Sequence, residues 1–293
     1  MKIEKITYHG WKQAYRLTLG KAQMIVVTQI GPRILSLSVA GGENLLFEDI
    51  GKKIAVPRGK DKWFIYGGHR LWVSPEREET YVPDNAPCEV AVSRGSLLAT
   101  APPDPVTKLQ AALRISAEAD RFVVDHLVTN AGEFLQTGAI WGLTCVEPRG
   151  KVLFPWGRPG AWHTKKIIYW KNWSTHTSNI ASQQWQPGPD LFVIDPTGEE
   201  GKVGTANYEG WMALARPDAT FIKTFDHLET APYPDDNCSM EAYTCKYFIE
   251  METLSPMMTF YPGQTACHRE RWRVTSKTVN PSRPGSLRKL AQG

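Results

Sequence analysis

The alternation of apolar and polar positions along this chain has the period of two that strands require. Almost nowhere does it have the period of 3.6 that helices require. Residues 24–29 are a β-branched run closed by Gly31-Pro32, and residues 33–40 alternate Ile34, Ser36 and Ser38 against Arg33, Leu35, Leu37 and Val39. Gly41-Gly42 then leads into residues 44–47, which predicts a hairpin with one buried face and one small, polar face. Residues 109–117 and 121–130 predict a second hairpin, and residues 211–216 and 220–225 a third that turns at Pro217-Asp218. Residues 243–254 read as one long strand. Its Tyr243, Cys245, Tyr247, Ile249, Met251 and Thr253 form a core face, while Thr244, Lys246, Phe248, Glu250, Glu252 and Leu254 meet water or a ligand. Residues 266–274 complete the set, with no internal repeat and no amphipathic helix longer than three turns.

Composition sharpens this to an all-β protein. The 24 glycines and 21 prolines in 293 residues suit many short strands with turns, and 42% hydrophobic residues suffice for one large core. The formal charge of +4 is matched by the four cations of residues 277–293, Lys277, Arg283, Arg288 and Lys289, which have no acid among them. The body, residues 1–276, is therefore neutral and has no basic stripe for nucleic acid, and residues 277–293 read as a basic, flexible tail. The five cysteines are odd in number and have no CxxC spacing, and the chain opens without an apolar leader. These features predict reduced thiols in a cytoplasmic protein, a monomer or homodimer, without a membrane partner.

Four groups of residues can carry chemistry. In residues 66–76 (YGGHRLWVSPE), two glycines allow a close backbone approach, His69 can move a proton near neutral pH, Arg70 is a rigid donor fork and Trp72 a stacking surface. The same residues also suit a turn that caps a sheet end. Glu250 and Glu252 share a strand face, about 7 Å apart. Lys223 lies between Phe221 and Phe225 on another face, either snorkelling or aimed at a sugar oxygen or carboxylate. Residues 149–190 are loop-like and hold Trp156, Trp162, Trp170, Trp173 and Trp185, whose faces suit the C–H faces of sugar rings as well as core packing. His163 and His176 lie there too, without ligand spacing for a metal. GxSxG, GxGxxG, P-loop and HExxH motifs are absent, and neither cofactor nor metal is expected.

Four stretches, IGPRILSLSVAGGENLLFED, YGGHRLWVSPE, VTNAGEFLQTGAIWGLT and FIEMETLSPMMTFYPGQTACHRERW, resemble the galactose mutarotase-like (aldose 1-epimerase-like) superfamily across residues 30–272. The resemblance implies a single large β-supersandwich of mostly antiparallel strands over residues 1–276. It also implies an enzyme that interconverts sugar anomers, with a glutamate base in a late Leu-Glu-Thr-like motif and a histidine acid. Met251-Glu252-Thr253 makes Glu252 the base, and His69 stands for the acid of the early Gly-Gly motif. Arg70, Trp72, Glu76, Trp141, Lys223 and Glu250 are then the substrate-binding residues. Trp141 stands where the pattern has its second histidine, which points from galactose towards a uronic acid or a modified sugar. A non-catalytic carbohydrate-binding protein, and a polysaccharide lyase or glycoside hydrolase, are the alternatives on the same fold.

Overall fold

The computed structural model describes every residue except 40, 59, 60, 82, 94, 161, 175, 278, 280–283 and 293. Among the described residues, two large antiparallel sheets of eleven and ten strands lie face to face. The first sheet runs outward from Lys2–Tyr8 through Trp11–Leu19, Ala22–Val27 and Arg33–Val39 to a centre made by His69–Ser74, Gln136–Val146 and Ile249–Leu254. It continues through Met240–Thr244 and Gly201–Thr205. The second is built around Trp211–Ala215, Thr220–Phe225, Thr265–Thr275 and Arg121–Asn130. The alternating side chains of both inner faces, among them Ile34, Ile140, Met251, Val124, Phe221 and Trp272, fill one continuous core. This is the mostly antiparallel β-sandwich expected from the period-two pattern.

The outer face of the first sheet is apolar as well. Trp63, Trp72, Trp141, Leu143, Phe248 and Leu254 form a separate buried cluster there, and Ile25, Val27, Leu35 and Tyr66 another. The strand Arg33–Val39 is therefore covered on both sides near its start, whereas its sequence suggested one small, polar face.

Two elements differ from the sequence reading in ways that matter for function. Residues 243–254 are a hairpin, because Met240–Thr244 pairs with Ile249–Leu254 and Cys245 N donates to Phe248 O at 3.0 Å. A continuous strand would put Tyr243 and Glu250 on opposite faces; the hairpin sets them side by side. The turn at Lys246-Tyr247 contains no glycine, proline or asparagine, so nothing local marked it. His69–Ser74, whose residues also suited a turn capping a sheet end, is a central strand. The two glycines before it do serve close approach, but to the chain itself: a Cβ would fall 2.1 Å from Phe47 O at Gly67 and 2.1 Å from Ile34 O at Gly68, both at positive φ.

The basic segment also gains structure. Pro284–Gln292 is a helix whose Leu287 and Ala291 pack on Leu153, Trp211 and Ile222 of the second sheet, and Arg288 forks onto Glu209 at 2.7 and 2.8 Å. The i, i+4 spacing of Leu287 and Ala291 supplies the apolar stripe. Arg283 lies outside the described residues. No helix among them is long and apolar enough to cross a membrane.

Candidate functional site

Strand register assembles a polar row on the outer face of the first sheet. Arg70 is paired to Leu143, Leu143 to Glu252, and Glu252 to Glu241. In the next row outward, Glu250 is paired to Tyr243, and Tyr243 to Lys202. Five strands, two of them arms of one hairpin, thus deliver their side chains to one patch. Above it lie two adjoining hollows of about 410 and 150 Å³ that share Glu76, Tyr81, Trp141, Trp173 and Lys202. The larger has the size of a small-molecule site.

Glu252 is fully buried in protein yet lines the smaller hollow. Its Oε2 accepts Trp141 Nε1 at 2.8 Å and Lys202 Nζ at 3.2 Å. Lys202 also holds Glu241 Oε2 at 2.6 Å and lies 4.7 Å above the centre of the Trp141 ring. Glu252 Oε1 and Glu241 Oε1 are buried without a hydrogen-bond partner among the described residues. Burial pushes both carboxyls up from their ordinary range; Lys202 opposes the shift without cancelling it, while Glu250 reinforces it at Glu252 and Glu252 reinforces it at Glu241. Burial alone would lower the Lys202 ammonium, but its two carboxylates raise it above the ordinary lysine range.

Beside this trio Arg70 Nη1 pairs with Glu250 Oε1 at 2.7 Å, and its guanidinium carbon lies 4.2 Å over Trp72. Arg70 Nε and Trp72 Nε1 remain without partners among the described residues. Four donor or acceptor atoms are therefore left uncommitted at or just beneath one apolar cleft, and a ligand bearing hydroxyl groups can satisfy those it reaches. His176 lines the smaller hollow as well, with Nδ1 2.7 Å from Glu200 Oε1, and Glu200 in turn accepts the Tyr243 hydroxyl at 2.6 Å.

Six of the eight residues singled out from sequence meet at this cleft: Glu252, Glu250, Arg70, Trp72, Glu76 and Trp141. His69 and Lys223 do not. Both are completely buried and face the interior between the sheets, since His69 opens an alternation in which Arg70 takes the outer side. There Lys223 Nζ donates to Thr144 Oγ1, Met251 O and Glu270 Oε1, each at 2.9 Å. Thr144 donates to His69 Nδ1, His69 Nε2–H to His126 Nε2 at 2.7 Å, and His126 Nδ1–H to His268 O. His268 donates to Thr253, which donates to Glu270, whose other oxygen takes Trp272 Nε1–H. This assignment gives each of these contacts one consistent direction with neutral imidazoles.

Burial favours those neutral rings, lowering all three histidines, with His268 at about 3. For Glu270 burial acts upward, but the Lys223 ammonium beside it holds it well below the carboxylate range. His69, His126 and Glu270 bring possible metal-ligating atoms within 4.8 Å of one another, but Lys223 already supplies the positive charge at Glu270.

The sequence reading missed Lys202, Glu241 and Tyr243 as site residues, and left His176 without a role. Glu241 and Tyr243 belong to the acidic face only once the hairpin is known. Lys202 carries no local signal at all.

No protein-family model matches the chain, and no curated protein sequence matches it. Solved structures do. A candidate aldose 1-epimerase from Escherichia coli K12 aligns with a TM-score of 0.62 at 12% identity, over 90% of this chain and 99% of that one. A second, from Klebsiella pneumoniae, gives 0.61 at 11% identity over 99% and 87%. A galactose mutarotase-like protein from Lactobacillus casei gives 0.53 at 13% identity over 89% and 99%. At these identities the likeness shows the fold alone: the chain has the β-sandwich fold of these galactose mutarotase-like proteins.

Proposed function

We propose that the cleft binds a sugar and catalyses acid–base chemistry at its anomeric carbon, in the manner of an aldose 1-epimerase. The observation that carries this reading is Glu252, a carboxyl on the cleft wall with one oxygen anchored and the other uncommitted. Its upward shift suits a general base, because a base works best when its proton affinity approaches the operating pH.

In this scheme Glu252 Oε1 takes the proton of the anomeric hydroxyl as the bond from C1 to the ring oxygen breaks. The electron pair leaving with the ring oxygen takes a proton from an acid. Rotation about C1–C2 and the reverse transfers close the other anomer, so protons and electrons balance. With His69 turned inward, His176 is the acid in this proposal. Its Nδ1 is committed to Glu200, which leaves Nε2 as the nitrogen available to a ligand. Trp141, Trp170 and Trp173 offer ring faces along the larger hollow, and Arg70 with Glu76 contributes polar contacts.

The test is NMR anomer exchange on a panel of aldoses and uronic acids, with wild type and Glu252→Gln. Acceleration for one sugar, lost in the variant, supports the epimerase. Line broadening without acceleration would leave a carbohydrate-binding protein, and release of products from a polymer would identify a lyase or hydrolase.

A further inference from the structure

A second hollow, of about 260 Å³, opens on the same outer face of the first sheet, away from the cleft, where Trp11, Leu35, Glu48, Lys52 and Tyr66 line it. Three aromatic rings there surround one ammonium. Lys52 Nζ lies 5.8 Å from the centre of Trp11, 5.7 Å from Phe64 and 5.6 Å from Tyr66. Lys52 is itself exposed, so the three rings form a cage open to solvent around its ammonium. All three distances are close to the outer limit of about 6 Å for such contacts, so each ring's hold on this exposed ammonium is weak. Tyr66 adopts a left-handed backbone, φ 49°, immediately before Gly67.

Next to the cage is an acid with an unmet need. Glu48 Oε2 accepts the Tyr8 hydroxyl at 2.9 Å and lies 3.8 Å from His9 Nε2. Glu48 Oε1 is buried and has no hydrogen-bond partner among the described residues. Lys52 forms no ion pair among them, so its charge does not answer the carboxylate. A buried acceptor without a donor is unfavourable, and an incoming N–H group would relieve it.

We infer that this hollow is a binding site for a small protonated alkylamine, whose ammonium enters the Trp11–Phe64–Tyr66 cage, donates to Glu48 Oε1 and displaces Lys52. The rings select for positive charge, the carboxylate for an N–H donor, and Leu35 for an apolar stem. Lys52 acts as an internal competitor: its ammonium has the chemistry of the ligand, yet it makes no ion pair with Glu48. The site is independent of the epimerase reading, since it shares no residue with the cleft.

The experiment is titration of the 15N-labelled full chain with n-butylamine at neutral pH, following the Trp11 indole N–H resonance, with n-butanol as the uncharged comparison. The resonance is assigned by its absence in Trp11→Phe. Saturable shifts are expected with butylamine and not with butanol. Lys52→Ala should tighten binding about tenfold, the loss of a competitor worth about 1.4 kcal/mol, and Glu48→Gln should weaken it several-fold. Lys52→Gln provides the same test should the alanine variant misfold. Equal responses to amine and alcohol, no saturable shift in folded Lys52→Ala or Lys52→Gln, or indifference to Glu48→Gln would each overturn the proposal.

Discussion

Lys202 holds Glu252 by a single oxygen: its Nζ lies 3.2 Å from Oε2, while Oε1 stays without a partner among the described residues. The contact fixes the direction of the carboxyl without consuming its capacity to take a proton. Loss of the carboxylate charge should therefore be far more damaging to catalysis than to folding. Glu252→Gln is expected to lower kcat about 10²–10⁴-fold, the usual worth of one acid–base group, with sugar affinity changed much less. A parallel fall of kcat and stability in NMR exchange and urea titrations would contradict this.

Removing the cation has the opposite profile. Lys202→Met leaves Glu241 and Glu252 facing each other across paired strand positions with no counter-charge. Breaking a buried ion pair from one side typically costs about 3–5 kcal/mol. Urea denaturation should show a loss of this order, and the double variant Lys202→Met with Glu241→Gln should recover part of it.

The interior network predicts an acid-sensitive fold. Burial lowers His69, His126 and His268 in the folded chain, so on acidification the unfolded chain takes up protons first, from about pH 6.5. Stability carried by these rings is present above that pH and is lost as pH falls towards the folded values, about 3 for His268. Glu241 and Glu252 act with the opposite sign, since a raised carboxyl contributes stability that is lost as pH rises above its unfolded value. The histidine contribution is isolated by comparing wild type with His268→Gln: the stability loss between pH 7 and 5 should be shallower in the variant. Identical slopes would mean that the ring is not held neutral.

Gly142 borders the same network. A Cβ there would lie 2.9 Å from His126 Nε2 and 3.0 Å from Glu270 Oε1. Overpacking of a filled core costs about 1–3 kcal/mol, so Gly142→Ala should lower the denaturation midpoint by a corresponding amount. An unchanged midpoint would show that the network has slack.

The C-terminal helix should contribute to stability through its apolar stripe. Leu287 is fully buried against the second sheet, and Leu287→Ala is expected to cost about 2–5 kcal/mol by calorimetry or denaturant titration. A cost near zero would mean that the helix is not docked in solution.

Much of this was legible in the chain alone. Period-two alternation identifies strands because successive side chains of a strand point to opposite sides, and turn residues mark most of the ends. The same local rule put Glu250 and Glu252 on one face, and they do share it. What the alternation leaves open is which face meets the partner sheet. His69 and Arg70 are adjacent, so one had to face the core and the other the cleft. That choice rests on His126, Thr144 and Lys223, which surround His69 from other strands. Lys202, Glu241 and Tyr243 join the site only through register across paired strands, and one of those pairings depends on a hairpin turn without a turn residue. Local geometry is written in neighbouring residues. A site built from five strands depends on pairings between residues far apart in sequence, and only the folded chain makes them.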